Sequence, residues 1–422
     1  MKRLIASAFI VMMAVAVIGC DPPPTCDANL THLTAVGNTT NNVFKQAIPA
    51  NPAIDPNSSA IITKQCNLMA ADKGFNEQVL CDISGWSAGV YYTDSAQTRN
   101  TYVRLHLDGN PSYHGITSMG PIRWRSCITG GSASDGPALM VDKVDGCQYE
   151  FWMLNKNALI ADPECGWGGG LPFDDADQVW NDYEGLGCAA SGASQYCSSI
   201  WPDECTTSFN HGFFFGAPWE GNEAGKSVYP FNHADGSGTD PVLDLQGGRQ
   251  VQLNPSFDIS GLPLYKQTVC QAMKTYGMYQ GNSGGLNWGV YGVCNRGYTN
   301  NPWNGVLPDP AVEYWEVGAP VVQFRVLAKT QYTTTQQMLA NNSCVTYYGG
   351  EARGVPPTIT SISPSTAAAG TTVSLIGTNM SNPIADNGSD ASPGTVRFNM
   401  AKATNVNVVS STLVTCTVPA GS

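Results

Sequence analysis

Short runs of strand-forming residues, each closed by Gly, Pro or Asn, constrain the fold of this chain more than any other feature. Examples are residues 102–107, 138–141 and 320–326. β-branched and aromatic residues favour extended backbone, and turn residues end each run before a helix is established. The 422 residues include 45 Gly but only 13% charged residues, as in many extracellular β proteins. The sequence therefore predicts a mainly β, sandwich-like body.

At least one helix should pack against these strands. One face of residues 264–276 is apolar at helical spacing and consists of Tyr265, Val269, Ala272, Met273 and Tyr276. Pro263 precedes this stretch and Gly277 follows it, which matches the residues preferred at the start and just past the end of a helix.

The N-terminus has the pattern of a signal peptide. Lys2 and Arg3 precede an apolar stretch over residues 4–18 that is shorter than the roughly 20 residues needed to span a bilayer. Residues 17–20, Val-Ile-Gly-Cys, resemble the lipobox of bacterial lipoproteins. The resemblance implies that residues 1–20 are a lipoprotein signal and that Cys20 carries a diacylglycerol anchor. We expect a membrane-anchored envelope protein facing the periplasm or the exterior.

The number of cysteines is typical of a protein in an oxidising compartment. Of fourteen, twelve fall between Cys26 and Cys344, and an even dozen allows up to six disulfides. The close spacing of Cys188, Cys197 and Cys205 lacks the paired CxxC pattern of zinc sites. We therefore predict a disulfide-rich body whose pairing the sequence leaves open.

Charge excludes nucleic acid as an expected partner. Without Lys2 and Arg3 the mature chain would carry 19 basic and 33 acidic residues, a net charge of about −14. Phosphate backbones require clustered Lys and Arg, and the sequence contains no such cluster.

Composition divides the remainder into three parts. Residues 21–51 show no sustained period and are predicted to be a flexible tether, followed by the body over 52–350. From residue 356 the sequence changes, and the segments 357–364, 369–379, 396–398 and 414–419 resemble the IPT/TIG immunoglobulin-like domain. That resemblance implies a small β-sandwich over 356–422 that lacks the family's last strand. Cys416 shares a strand face with Val414 and Val418, so we expect a buried free thiol.

The body also resembles a family of uncharacterised secreted bacterial proteins. The matching stretches, in order, are residues 54–58, 140–142, 146–152, 210–213, 229–234, 256–260 and 272–278. The resemblance implies no particular reaction. The chain departs from the family's pattern at Pro137, where the family tends to have His, and at Asn282, where it tends to have Asp. Both departures would weaken catalysis if those positions are catalytic in relatives.

Histidines are the first candidates for chemistry. His211 and His233 lie in Gly- and aromatic-rich segments and could form an acid/base or metal site with Asp258, Arg249 or Glu204. The absence of close ligand spacing such as HxxxH favours structural roles for them.

Two serines fit short nucleophile motifs. Ser87 lies in Gly-Trp-Ser-Ala-Gly, which fits the nucleophile elbow of α/β-hydrolases, and Ser283 lies in a Gly-Asn-Ser-Gly-Gly loop like that of trypsin-like proteases. The residues after Ser87 favour a strand rather than a helix, and turn chemistry explains the second motif equally well.

Acidic and aromatic side chains offer two further candidate sites. Asp174, Asp175 and Asp177 could hold calcium, although they lack the spacing of an EF-hand and a solvated loop is favoured; no other cofactor is indicated. Loop tryptophans beside Gly or Pro could form an aromatic platform for a sugar, namely Trp167, Trp219 and Trp303.

Three functions remain open from the sequence. The favoured one is an anchored surface protein that binds an extracellular glycan or a protein partner. The second is a polysaccharide hydrolase or lyase, which requires His211, His233 and carboxylates to converge in one tryptophan-lined cleft. The third is a structural envelope protein without a small-molecule site.

Overall fold

The structure is a computed structural model in which residues 30–39, 41–71, 77–105, 118–125, 127–128, 130, 135–154, 163–174, 178–180, 187–231, 234–284, 287–329, 344–348, 358–378, 397–398, 401–410 and 412–419 are described. Within these ranges no helix is both long and apolar enough to cross a membrane. The residues around Cys20 and the lipobox lie outside them.

Strands dominate the described residues, with few helices. The helices are α1 (Ser58–Ala71), α2 (Gln195–Ser198), α3 (Pro202–Cys205) and α4 (Leu264–Thr275). The strands of the body are β1 (Gln78–Asp82), β2 (Gly89–Thr93), β3 (Arg99–Leu105), β4 (Ser118–Arg123), β5 (Ala138–Asp142), β6 (Cys147–Trp152), β7 (Glu164–Cys165), β8 (Trp167–Pro172), β9 (Phe213–Ala217), β10 (Asn222–Ser227), β11 (Leu245–Gly247), β12 (Gln250–Leu253), β13 (Met278–Ser283), β14 (Gly289–Tyr291), β15 (Tyr314–Pro320), β16 (Phe324–Val326) and β17 (Thr346–Tyr348). The C-terminal strands are β18 (Thr358–Ser363), β19 (Thr372–Thr378), β20 (Arg397–Phe398), β21 (Ala401–Lys402), β22 (Thr404–Ser410) and β23 (Leu413–Thr417).

A seven-stranded mixed sheet forms the first layer of the body, in the order β15-β1-β14-β9-β13-β12-β16. Side chains alternate between its faces, so Val79 and Cys81 of β1 enter a core that also contains residues of α1 and α4. The predicted helix is confirmed as α4, which buries Val269 and Met273 in this core.

Two further sheets complete the layers. The sheet β2-β5-β6-β8 packs through Leu139 and Val141 of β5 on a second core, which also contains Phe214 of β9 in the seven-stranded sheet. The alternate residue Met140 enters a third core, shared with the sheet β17-β4-β3-β7. The predicted β-rich, sandwich-like body with packed helices is confirmed. The strand predicted over 320–326 is instead broken by a 3₁₀ turn at Val321–Gln323.

Most of the described cysteines are not in disulfides, so fewer disulfides form than the six that the sequence allowed at most. Cys147 and Cys344 form a disulfide, and Cys127 is also disulfide-bonded. The body cysteines that are not disulfide-bonded are Cys66, Cys81, Cys165, Cys188, Cys197, Cys205, Cys270 and Cys294. Nearly all of these are buried, where a thiol packs as a small apolar side chain.

The described part of residues 21–51 packs into the body, so the prediction of a flexible tether is wrong for that part. Val36, Val43 and Phe44 are buried in the second core, where Phe44 contacts Phe231 and Tyr279. These apolar residues are spread over an Asn- and Thr-rich stretch, so no local period indicated their burial.

The C-terminal residues form an immunoglobulin-like sheet in the order β18-β19-β23-β22. Strands β20 and β21, which lie between β19 and β22 in sequence, form a separate two-stranded sheet. Its own core contains Val373, Leu375, Val414 and Cys416. Cys416 is a buried free thiol, as predicted.

Candidate functional site

A cleft opens between the seven-stranded sheet and the sheet β2-β5-β6-β8, with a cavity volume of about 280 Å³. The register of neighbouring strands brings together the residues that form the floor of the cleft. Asp82 of β1 lies opposite Tyr291 of β14 on one side and Tyr314 of β15 on the other. Two residues earlier, Leu80 lies opposite Gly289 and faces the same side. Side chains more than 200 residues apart in sequence thus form adjacent rows.

Aromatic rings form much of the wall. Trp86 and Tyr314 are 44% and 42% exposed. Trp152, at the end of β6, lies partly buried against Trp167, with ring centroids 4.9 Å apart. Tyr291 is stacked on Phe214 at 4.6 Å, which holds its ring in place.

Polar side chains share the cleft with these rings. They are Asp82, Asp135, Gln195, Asn282, Ser283 and Asn287. Pro137 lines the cleft as well. The two positions at which the chain departs from the resembling family, Pro137 and Asn282, therefore lie in the same cleft.

Asp82 fixes the loop that presents Trp86. Its carboxylate accepts backbone hydrogen bonds from Ser84, Trp86 and Ser87 at 3.0–3.3 Å. Burial raises the pKa of Asp82, and these hydrogen bonds partly oppose that shift. The arrangement is a capped turn, in which one carboxylate accepts from the backbone N–H groups of residues 84, 86 and 87.

The Ser87 hydroxyl belongs to the same turn. It is fully buried and donates to the carboxylate of Asp82 at 2.8 Å and to its backbone oxygen at 2.5 Å. Strand β2 follows it, whereas a nucleophile elbow requires a helix there. The structure gives Ser87 a place in a turn and no access to a substrate.

Ser283 lies at the cleft beside a second carboxylate. Its backbone N–H donates to Asp235 at 2.7 Å, its hydroxyl donates to the backbone oxygen of Asp235, and the amide of Asn222 donates to that hydroxyl at 2.7 Å. Burial raises the pKa of Asp235 to about 6. The described partners of the hydroxyl are a carbonyl oxygen, an amide and the Asp235 carboxyl group, and no histidine is among them.

His211 is buried away from the cleft lining. Its Nε2 lies 3.1 Å from one carboxylate oxygen of Glu204, and Nδ1 of His32 lies 3.1 Å from the other. Burial alone would raise the pKa of Glu204, but His211 and His32 outweigh it and hold that pKa at about 2. Of the three residues named as possible partners of His211, Glu204 contacts it, and His32 joins them from a segment that the sequence gave no reason to include.

The remaining candidates around His211 are dispersed. Arg249 is buried in an ion pair with Asp55 at 2.7 Å, and it also donates to the backbone oxygen of Leu327. Asp258 is exposed and accepts a hydrogen bond from the backbone of Ser260 within a turn. Neither contributes to the histidine cluster. His233 lies outside the described residues.

The three tryptophans predicted to form a platform have different environments. Trp303 is fully buried and donates to the backbone oxygen of Val293, so its assignment to a platform is wrong. Trp219 is 46% exposed but does not line the cleft, whereas Trp167 supports the cleft residue Trp152. The calcium candidate Asp174 is exposed, and Asp175 and Asp177 lie outside the described residues.

Sequence reasoning missed the aromatic residues that do line the cleft, Trp86, Trp152, Tyr291 and Tyr314. A weak signal was present, because Trp86 lies within the Gly-Trp-Ser-Ala-Gly motif and Pro137 and Asn282 were already singled out. Convergence of the other aromatics depends on strand register, which a single sequence leaves undetermined.

Comparison with known proteins assigns one part of the chain. Residues 357–422 match the IPT/TIG domain family, so the C-terminal part is an IPT/TIG domain. No curated protein and no solved structure matches the chain.

Proposed function

We propose that the cleft binds a short stretch of an extracellular glycan. The observation that supports this function is the combination of exposed rings, Trp86 and Tyr314, with carboxylate, amide and hydroxyl side chains around one cavity. Flat apolar rings suit the faces of sugar rings, and a few polar groups suit their hydroxyls. The volume of about 280 Å³ lies just below the roughly 300–1,000 Å³ range of small-ligand sites and favours a few sugar units over a protein surface.

Charge narrows the class of glycan. The carboxyl groups of Asp82 and Asp135 line the cleft, Asp235 lies behind Ser283, and the chain as a whole is acidic. Uronic acid polymers would bring further negative charge to this surface and be repelled. The cleft is therefore suited to neutral or amino sugars.

Binding is favoured over cleavage because His211, the described histidine of the hydrolase hypothesis, is absent from the cleft lining. The hydrolase hypothesis requires His211 in the cleft, but His211 is paired with Glu204 elsewhere. Where the resembling family tends to have His and Asp, this cleft has Pro137 and Asn282, neither of which transfers a proton near neutral pH.

The test is binding of the purified chain to neutral, amino-sugar and uronic acid polysaccharides by affinity electrophoresis and calorimetry. Trp86→Ala and Tyr314→Ala should each weaken binding by about fivefold or more, because each removes an aromatic face worth roughly 1–3 kcal/mol. Trp219→Ala is the matched control, since Trp219 is equally exposed but outside the cleft. It should bind like the wild type.

Three results would contradict the proposal: no glycan binds, the Trp219 variant loses as much affinity as the Trp86 variant, or uronic acid polymers bind best. Soluble sugar released in the same assay, and absent for Trp86→Ala, would show that the cleft is catalytic and would replace binding with hydrolysis or lyase chemistry.

We further propose that the chain is held at the cell envelope by a lipid on Cys20. The support is the lipobox resemblance of residues 17–20. Expression of wild type and Cys20→Ser with a labelled fatty acid tests it: label and membrane association should both be lost in the variant. Retention of either would contradict lipid anchoring.

A further inference from the structure

The cluster of His32, Glu204 and His211 has a chemistry that the glycan cleft does not use. We propose that these three side chains bind one divalent transition-metal ion, for which Zn²⁺ is the best fit, and that the ion fastens the N-terminal segment 30–39 to the body. One ligand atom from each residue lies within 4.8 Å of the others. Two imidazoles and one carboxylate are a donor set that zinc uses when its fourth position is taken by water.

The hydrogen bonding of His211 directs a nitrogen lone pair toward the proposed metal position. Its Nδ1 lies 2.8 Å from the backbone oxygen of Gly212. A carbonyl oxygen only accepts, so Nδ1 carries a proton. In the neutral imidazole the lone pair is then on Nε2, which faces Glu204 at 3.1 Å. Metal-binding histidines are commonly oriented in this way by a backbone carbonyl.

His32 supplies an independent observation. It is 8% exposed, and neither of its ring nitrogens has a hydrogen-bond partner among the residues that the structure describes. Nδ1 approaches Glu204 to 3.1 Å without the geometry of a hydrogen bond. A buried imidazole without a hydrogen bond is costly, and a cation between its nitrogen and the carboxylate would satisfy both groups.

The distances suit a small ion. Ligands at 2.0–2.1 Å from a tetrahedral zinc are about 3.3 Å apart, and His32 and His211 each lie 3.1 Å from a different carboxylate oxygen of Glu204. The three ligand atoms lie within 4.8 Å of one another and would draw closer on binding. Mg²⁺ and Ca²⁺ prefer sets of oxygen ligands, so they are poor candidates.

The three ligands come from distant parts of the chain, so a bound ion would link the N-terminal segment to the body. Glu204 belongs to α3, His211 lies just before β9, and His32 lies more than 170 residues earlier in the chain. The ring of His32 stacks on buried Trp201 at 4.6 Å, and its backbone N–H donates to Asp203. These contacts hold His32 where it can bind the ion. The ion would then add a metal-dependent cross-link between segment 30–39 and the body.

The experiment uses the full chain after treatment with a chelator and removal of the chelator. Titration with Zn²⁺ should show one tight equivalent that raises the melting temperature and slows proteolysis near residue 32, while Mg²⁺ does neither. His32→Gln and Glu204→Gln should each lower zinc affinity by at least about 100-fold, more than the change caused by losing a residue that only orients a ligand.

Asp55→Asn is the control for the general effect of removing a buried charged side chain. It removes the carboxylate that pairs with Arg249, so it should lower stability while leaving the tight zinc equivalent intact. If the wild type binds no stoichiometric zinc, the cluster is an ion pair of protonated histidines with Glu204 and the proposal is wrong. Equal zinc binding in wild type and both ligand variants would place the ion elsewhere, for example on free thiols, and would also overturn it.

Discussion

Individual residues of the same type have opposite roles in this chain. Trp86 and Trp219 are almost half exposed, whereas Trp303 is fully buried near Trp315. All three have Gly or Pro close by in sequence. Burial therefore depends on the neighbours that each side chain acquires on folding rather than on its local sequence.

Replacement of buried and exposed tryptophans should separate these roles. Trp303→Ala removes a large core side chain and its hydrogen bond to Val293, so we expect a loss of about 3–5 kcal/mol in the free energy of unfolding. Trp219→Ala should change that free energy by no more than about 0.5 kcal/mol. Urea denaturation followed by circular dichroism measures both, and equal effects would contradict the assigned burial.

At the scale of elements, several residues that line the cleft lie at the ends of strands. Asp82 ends β1, Tyr291 ends β14 and Tyr314 begins β15, and all three meet at the cleft. Regular strands provide rigid positions, and the loops beyond them supply side chains such as Trp86.

The junction of α4 and β13 is a sensitive element boundary. Gly277 has φ +74°, and a Cβ there would lie 2.5 Å from the backbone oxygen of Val251. Gly277→Ala should therefore destabilise the fold through both a left-handed backbone and a clash. Gly146 has φ +67° but open space around it, so Gly146→Ala isolates the backbone cost of about 1–2 kcal/mol.

We expect Gly277→Ala to lower the free energy of unfolding by at least about 1 kcal/mol more than Gly146→Ala, since the neighbouring backbone must shift. Denaturation midpoints of the two variants measure the difference. Equal losses would show that the clash with Val251 relaxes freely.

For the whole molecule, buried carboxyl groups make stability depend on pH. Glu150 is fully buried in β6 and accepts hydrogen bonds from the backbone of Cys188 and Tyr196. Burial raises its pKa to about 7 in spite of these bonds. Between about pH 4.5 and 7 the folded chain keeps a proton that the unfolded chain has released, so stability falls as pH rises through this window.

Glu150→Gln should flatten this pH dependence. The contribution of Glu150 is on the order of 3 kcal/mol between pH 4.5 and 8. Unfolding free energies at pH 5, 6, 7 and 8 should therefore decline less in the variant, although Asp235, whose pKa is also raised by burial, preserves part of the slope. The exposed Glu316→Gln variant is the control and should keep the wild-type slope. An unchanged slope in Glu150→Gln would contradict the prediction.

The sequence by itself determined the features that depend on neighbouring residues. Turn residues and strand propensity indicated a mainly β body, helical spacing located α4, and the order of its short segments identified the C-terminal domain with its buried Cys416. The β body and α4 follow from turn chemistry and local periodicity, which a single chain displays directly, whereas the C-terminal domain was identified by its resemblance to a known family.

Only the tertiary structure decided which distant side chains meet. The row of Asp82, Tyr291 and Tyr314 depends on strand register, and the cluster of His32 with Glu204 depends on how a polar N-terminal segment folds back on α3. The same holds for the cysteines, since most of them became core side chains rather than disulfides. Such contacts depend on how whole layers pack together, which cannot be predicted from residue type and spacing along the chain.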